Sequence, residues 1–243
     1  GTLGQIIPPS IALVLLGDVL SNAYQQAQLS QGVFAPRTVS VGDLFAGALL
    51  PGLLLVGLYL AYTLINARLR PASAPPAAVD REISRAAAIL AISKGLLPPL
   101  VLIVAVLGSI LGGYATPTEA AGVGAMGATL LAAGYGALNI PVLRNVGVAT
   151  LKTSAMVFFI LIGASIFTLV FRGYGGDELI QSWFSNLPGG TWGALAMVML
   201  VVFLLGFMLD FIEITFVVVP IVGPVILAMG IDPVWFGILL AVN

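Results

Sequence analysis

Two acids, Asp210 and Glu213, sit in the stretch GFMLDFIE, in the middle of an almost unbroken apolar run from Gly193 to Ile231. A carboxylate deep in hydrocarbon costs about 3 kcal/mol on insertion scales, so it faces a protein interior or a water-filled site. An aspartyl hydrolase would need a second acid to share a proton with it. The other aspartates, Asp18, Asp43, Asp177 and Asp232, all read as interfacial or loop-bound. A carboxylate can also cap a helix start. Asp210 suits that role, with Glu213 then in the first turn, where the helix dipole favours an anion. The stretch GTLGQIIPPS, from Gly1 to Ser10, raises a matching question. Proline removes a backbone donor and glycine adds freedom that a helix must suppress. A break of this kind beside an apolar run is tolerated where it faces protein or a water-filled cavity, or it is a plain proline kink. There is no cysteine and no histidine. That removes thiol chemistry, His triads and the usual zinc, haem and iron–sulfur ligand sets, so no transition-metal site is expected.

These residues must be positioned by membrane helices. The chain of 243 residues is 60% hydrophobic and only 8% charged, and its mean hydropathy is +1.13. A soluble domain carries roughly 25% charged residues. The net charge of -1 gives nucleic acid no basic surface to meet. The composition predicts an all-α, polytopic, multi-pass protein in a lipid bilayer.

A spanning helix needs about 20 mostly apolar residues. Pro8 to Leu20 is shorter and reads as a half-helix after the break. SNAYQQAQLSQGVFAPRTVS reads as a solvated loop, VGDLFAGALLPG as interfacial, and Leu50 to Ile65 as a span entered through Pro51. NARLRPASAPPAAVDREISR is a linker, and Lys94 starts the next span, which ends near Gly112. TPTE then predicts a helix start: Thr116 as N-cap, Pro117 at the first position, Glu119 closing a capping box. Ala120, Gly124 and Ala128 offer a small-residue face for close helix contact. NIPVLRNVGVATLK is an amphipathic connector, Thr153 to Phe171 a span, and Trp183 an interfacial aromatic in the next polar loop. Asp232 and Pro233 predict a further helix start. Arg68, Arg70, Arg81, Arg85 and Lys94 cluster in one connection, and Arg144 and Lys152 lie in another. The positive-inside rule makes both cytoplasmic, with residues 21–48, 113–116 and 173–190 outside.

Around Asp210 two architectures fit. One is a pair of complete spans joined by a cytoplasmic turn. The other is a re-entrant hairpin whose short arms meet near the midplane. The turn lacks Lys, Arg and a strong turn dipeptide, which speaks against the first; each arm is long enough to cross, which speaks for it. Arg172 could grip a carboxylate with two hydrogen bonds, although a span end better suits snorkelling to the interface. Thr153 and Ser154 could face a substrate or bond back to their own helix.

Six segments, in order, carry a resemblance: GTLGQIIPPS, GDLFAGALLPGLLL, GGYATPTEAAGVGA, TLKTSAMVFFILIGASIF, GFMLD and VVPIVGPVILAMGIDPVWFG. Together they resemble the large, DctM-like membrane subunit of TRAP transporters, the tripartite ATP-independent periplasmic importers. The resemblance covers essentially the whole chain. It implies an elevator-type secondary transporter with two inverted repeats, each holding a re-entrant hairpin and a helix broken by a Gly/Pro loop. Broken helices of this kind present carbonyls to sodium and helix N-termini to a carboxylate. By that resemblance a first sodium site uses backbone carbonyls near Gly4, Ile7 and Pro9, and a second uses a hairpin-tip carbonyl near Gly206. Thr2, Gln5, Ser10, Asp210 and Glu213 become candidates that line or shape the substrate cavity. No catalytic residue and no cofactor is implied beyond Na+ as coupling ion.

The expected organisation is a half-helix of the transport domain over 1–20, then a periplasmic loop and interfacial helix over 21–48. Scaffold-type spans fill 49–138, with a cytoplasmic linker over 68–94. A connector helix, a span and an outer loop occupy 139–190. The hairpin takes 191–230, and a second broken helix starts over 231–243. The chain reads as a piece of a longer polypeptide, extended at both ends. The implied function is sodium-coupled import of organic acids across the bacterial inner membrane. The implied partners are a small membrane subunit and a periplasmic substrate-binding protein. An intramembrane aspartyl-type enzyme and a passive channel or scaffold are the alternatives.

Overall fold

The computed structural model describes residues 7–73 and 84–243. They form helices α1 (Ile11–Ser30), α2 (Val41–Leu69), α3 (Arg85–Leu111), α4 (Pro117–Gly134), α5 (Ile140–Gly173), α6 (Gly176–Ser185), α7 (Gly190–Leu205), α8 (Phe211–Ala228) and α9 (Pro233–Val242). There is no strand among the described residues. Val41–Leu69, Ala87–Leu111, Ile140–Gly173 and Phe211–Ala228 are long and apolar enough to cross a membrane. α6 and α7 form a broken pair bent by 119°. This is an all-α, polytopic membrane protein. It divides into two compact units, Leu49–Leu138 and the described residues up to Ala48 together with Asn139–Asn243.

The element bounds differ from the sequence expectation in five places. The polar segment after Leu20 is not a loop from its start, because α1 continues to Ser30. Its Ala- and Gln-rich sequence favours helix, and Ala23 and Ala27 are buried. Gln28 is buried too, and satisfied: its amide nitrogen donates to the Tyr24 and Arg37 carbonyls at 3.2 and 3.0 Å, and its Oε1 accepts from the Arg37 amide at 3.0 Å. Likewise α2 is one helix through Pro51 rather than an interfacial piece and a separate span. α3 begins ahead of Lys94, where the Ser84 hydroxyl accepts from the Ala87 amide. The connector and span after Asn139 are one helix of 34 residues, about 51 Å long at 1.5 Å per residue. That exceeds the roughly 30 Å hydrocarbon core, so the amphipathic end extends beyond it. The loop over 173–190 holds the short helix α6.

In the first unit, α3 and α4 are joined by a turn in which Gly113 adopts φ 72°, a conformation open to glycine at no steric cost. The capping box is formed: Thr116 Oγ1 accepts from the Glu119 amide at 3.3 Å, and the Thr116 amide donates to Glu119 Oε2 at 2.8 Å. Ala120 is fully buried. A Cβ on Gly124 would lie 3.3 Å from Val106, and one on Gly127 would lie 2.4 Å from Leu102. Ala128, expected on the small-residue face, is exposed. The face follows Ala120, Gly124 and Gly127 because successive positions i, i+4 and i+7 keep to one side of a 3.6-residue helix.

The second unit holds the denser core. Leu13, Leu16 and Leu20 of α1, Leu44 of α2, Ile226 of α8 and Phe236 of α9 are fully buried. Glycines permit the close approach. A Cβ on Gly237 would lie 2.6 Å from Leu20 and 2.7 Å from Leu44, and one on Gly223 would lie 3.1 Å from the Ala23 Cβ. Most of α5 is exposed and apolar, including Phe158, Phe159 and Ile162.

Candidate functional site

The break before α1 is described from Ile7 onward. Pro8 is buried, Pro9 is exposed, and the bond between them is cis. Ser10, expected to help line the substrate cavity, is buried and N-caps α1, its Oγ accepting from the Leu13 amide at 3.3 Å. It thereby satisfies one of the donors that a helix start leaves free. Thr2, Gly4 and Gln5 lie outside the described residues.

The second predicted site is a helix–turn–helix, α7 to α8, whose returning arm packs back along the first. Its tip amides turn back onto α7. Gly206 N donates to Val202 O at 2.9 Å, Phe207 N to Leu204 O at 3.3 Å, and Met208 N and Leu209 N to Leu205 O at 2.8 Å each. The Val202, Leu204 and Leu205 carbonyls at the end of α7 are thus satisfied within the tip, as a helix end in an apolar environment demands. Asp210 occupies the N-cap of α8, its Oδ1 accepting from the Phe211 amide at 2.8 Å, and Glu213 falls in the first turn. A cavity of about 300 Å³ opens beside the tip. Gly206, Leu209, Asp210 and Phe211 line it from the hairpin, and Leu240 to Asn243 line it from the end of α9. Gly206 and Asp210 are therefore brought to one cavity, whose lining does not include Glu213. The Asn243 amide nitrogen donates to Met199 O at 3.0 Å and fastens α9 to the first arm.

Because the Asp210 carboxylate serves a backbone amide, Asp210→Asn is expected to keep the cap and hold stability. Asp210→Ala should cost about 1 kcal/mol, the usual value of an N-cap. Thermal unfolding of the full-length subunit checks the difference; equal stability of the two variants would remove the capping role.

Three features of this region had no clear signal in the sequence. α8 carries a π-turn over Ile214–Val218, closed by Val219 N donating to Ile214 O. Thr215 is buried there with a hydroxyl that has no hydrogen-bond partner among the described residues. The β-branched run and Pro220 were the available hints, since both weaken a regular helix. Next, the Gln31 amide donates to the Ala228 carbonyl at 2.7 Å, joining the ends of α1 and α8. Finally, Arg172 is engaged by other helices. Its Nη2 donates to Gln26 Oε1 and lies 3.4 Å from the Pro220 carbonyl, and its Nε lies 3.4 Å from Asp177 Oδ2. It borders a cavity of about 370 Å³ that Asn22, Gln26, Ser165 and Thr168 share. Among the described residues no group of three or more acidic side chains could hold a metal ion.

Comparison with known proteins agrees with this architecture. The family model described as "Tripartite ATP-independent periplasmic transporter, DctM component" matches residues 1–243. The chain is 32% identical to the C4-dicarboxylate TRAP transporter large permease protein of Pseudomonas aeruginosa, over 100% of the chain and 52% of that protein. It is 27% identical to the sialic acid TRAP transporter large permease protein of Vibrio cholerae, over 99% of the chain and 51% of the relative. With the ectoine TRAP transporter large permease protein of Halomonas elongata the identity is 28%, over 98% and 51%. No solved structure matches. The chain spans about half the length of these relatives, which are transporter permease subunits rather than enzymes. A family model that matches from the first residue to the last, on helices that cross a membrane, places this chain in the DctM family of TRAP transporter large permease components.

Proposed function

We propose that this chain is part of the permease subunit of a sodium-coupled, binding-protein-dependent importer of organic acids in the bacterial inner membrane. The observation that carries the reading is the hairpin: two apolar helices, α7 and α8, joined by a capped tip that lines a cavity with Gly206 and Asp210. At 1.5 Å per residue the arms measure about 24 and 27 Å, lengths that fit a re-entrant hairpin as well as two short spans; the family to which the chain belongs favours the hairpin. The tip amides of residues 206–209 bond to Val202, Leu204 and Leu205 and do not use the Gly206 carbonyl, which this reading offers to a cation, the arrangement that broken and re-entrant helices use in secondary transporters. The relatives named for C4-dicarboxylates and sialic acid support an acidic substrate, and the one named for ectoine widens the class of solute. The partners of this reading are a small membrane subunit and a periplasmic binding protein, and its ion is Na+. Inverted repeats and elevator motion belong to the same proposal.

The test is solute uptake by the full-length subunit reconstituted with both partners, with and without a sodium gradient. Wild type should import only with sodium and binding protein present, and Gly4→Leu should fall to background. Uptake that persists without sodium under a proton gradient alone would remove the sodium coupling. Uptake without the binding protein would turn the reading toward a channel.

A further inference from the structure

The returning arm of the hairpin contains a hydrogen-bonding defect that its own sequence creates. In a regular helix the amide of residue 224 would donate to the carbonyl of residue 220. Residue 224 is proline, which has no N–H. The Pro220 carbonyl is thus left without its helical donor in the middle of an apolar helix, where an unmet carbonyl is costly. The donor near it comes from another element: Arg172 Nη2, near the end of α5, lies 3.4 Å from the Pro220 oxygen. The same nitrogen donates to Gln26 Oε1 on α1. The Arg172 Nε stands 3.4 Å from Asp177 Oδ2, in the first turn of α6, as an ion pair without a hydrogen bond. One guanidinium therefore touches α1, α6 and α8, and its charge is balanced by Asp177.

We propose that Arg172 is a positioning residue that supplies the donor Pro224 removes and so locks the returning arm of the hairpin to α1 and α6. A planar guanidinium can serve several acceptors at once in a fixed geometry, which a lysine cannot. The lock sits away from the hairpin tip. Arg172 borders the cavity shared by α1, α5 and α8, whereas the tip residues Gly206 and Asp210 line the other one. Arg172 thus governs how firmly the arm is held and does not line the cavity at the hairpin tip. Gln31, bonded to the Ala228 carbonyl, holds the far end of the same arm. The effect on uptake rests on the transport reading above; the lock itself does not.

The experiment is hydrogen–deuterium exchange of the full-length subunit in lipid nanodiscs, read over the amides from Ile221 to Ala228, with uptake measured in parallel. Arg172→Met should speed exchange in this arm roughly tenfold or more, the loss expected for a hydrogen bond to a charged group. Pro224→Ala restores an amide at the position that would serve Pro220. The double variant R172M/P224A should therefore return exchange toward the wild-type rate and recover part of the lost uptake. If Arg172→Met does not assemble, Arg172→Lys, which keeps a charge opposite Asp177, carries the same comparison with and without Pro224→Ala. Unchanged exchange in the single variant, or no recovery in the double one, would overturn the lock. The predicted exchange pattern in a wild-type protein that shows no uptake would leave the lock standing and defeat the transport reading.

Discussion

Gly237→Val is expected to lower the stability of the full-length subunit by about 3 kcal/mol, the upper end of the usual cost of overpacking a core. An added Cβ at Gly237 would sit 2.6 Å from Leu20 Cδ1 and 2.7 Å from Leu44 Cδ2. Neither leucine can retreat, because both are fully buried and a close-packed interior holds few voids. Their helices would have to separate, and α9 would lose its seat on α1 and α2. The same substitution at Gly57, where a Cβ meets nothing within 4 Å among the described residues, should stay within about 0.5 kcal/mol of wild type. Thermal unfolding of both variants in one detergent checks the pair. Equal melting temperatures would mean that the core around Phe236 is looser than the contact distances indicate.

Gly206→Leu should act in the opposite sense, with a large loss of uptake and a small loss of stability. A Cβ at Gly206 meets only the Phe203 and Val202 carbonyl oxygens, at 3.4 and 3.5 Å. That is ordinary contact, and the backbone there has φ -60°, which any residue adopts. Gly206 nevertheless lines the tip cavity of about 300 Å³, and a leucine side chain introduced there competes for that space. If the tip binds the coupling ion, sodium-driven uptake should fall by roughly tenfold or more, equivalent to about 1.4 kcal/mol, with the half-saturating sodium concentration raised. Gly206→Ala, with one carbon added, should fall between the two. Uptake in Gly206→Leu equal to wild type would move the second ion site away from the hairpin tip.

The local signals were strong where one residue type has one local use. The capping box at Thr116 and Glu119, the cap at Asp232 with Pro233 behind it, and the cap at Asp210 were all readable as short motifs. Each depends on hydrogen bonds within a few residues, so neighbours in sequence suffice to predict it. The extent of α1 was not readable in this way. NAYQQAQLS is polar enough for a loop although its Ala and Gln favour helix, and the burial of Ala23, Ala27 and Gln28, with Gln28 bonded to Arg37, settles the choice in favour of a helix to Ser30. The role of Arg172 was hidden for the same reason. Its partners Gln26 and Pro220 lie far from it in sequence, and a lone arginine at a span end looks the same whether it reaches outward or inward.

By itself the sequence determined the membrane class, the helical period, the caps and the family, because hydropathy, proline and short capping motifs act locally and the matching segments keep their order. Only the tertiary structure decided which glycines are contacts, that Gly206 and Asp210 share a cavity with the end of α9, and that the carbonyl freed by Pro224 is met from α5. Those are relations between residues distant in the chain. They are set by which helix faces pack together and by the cost of leaving a buried backbone group unpaired.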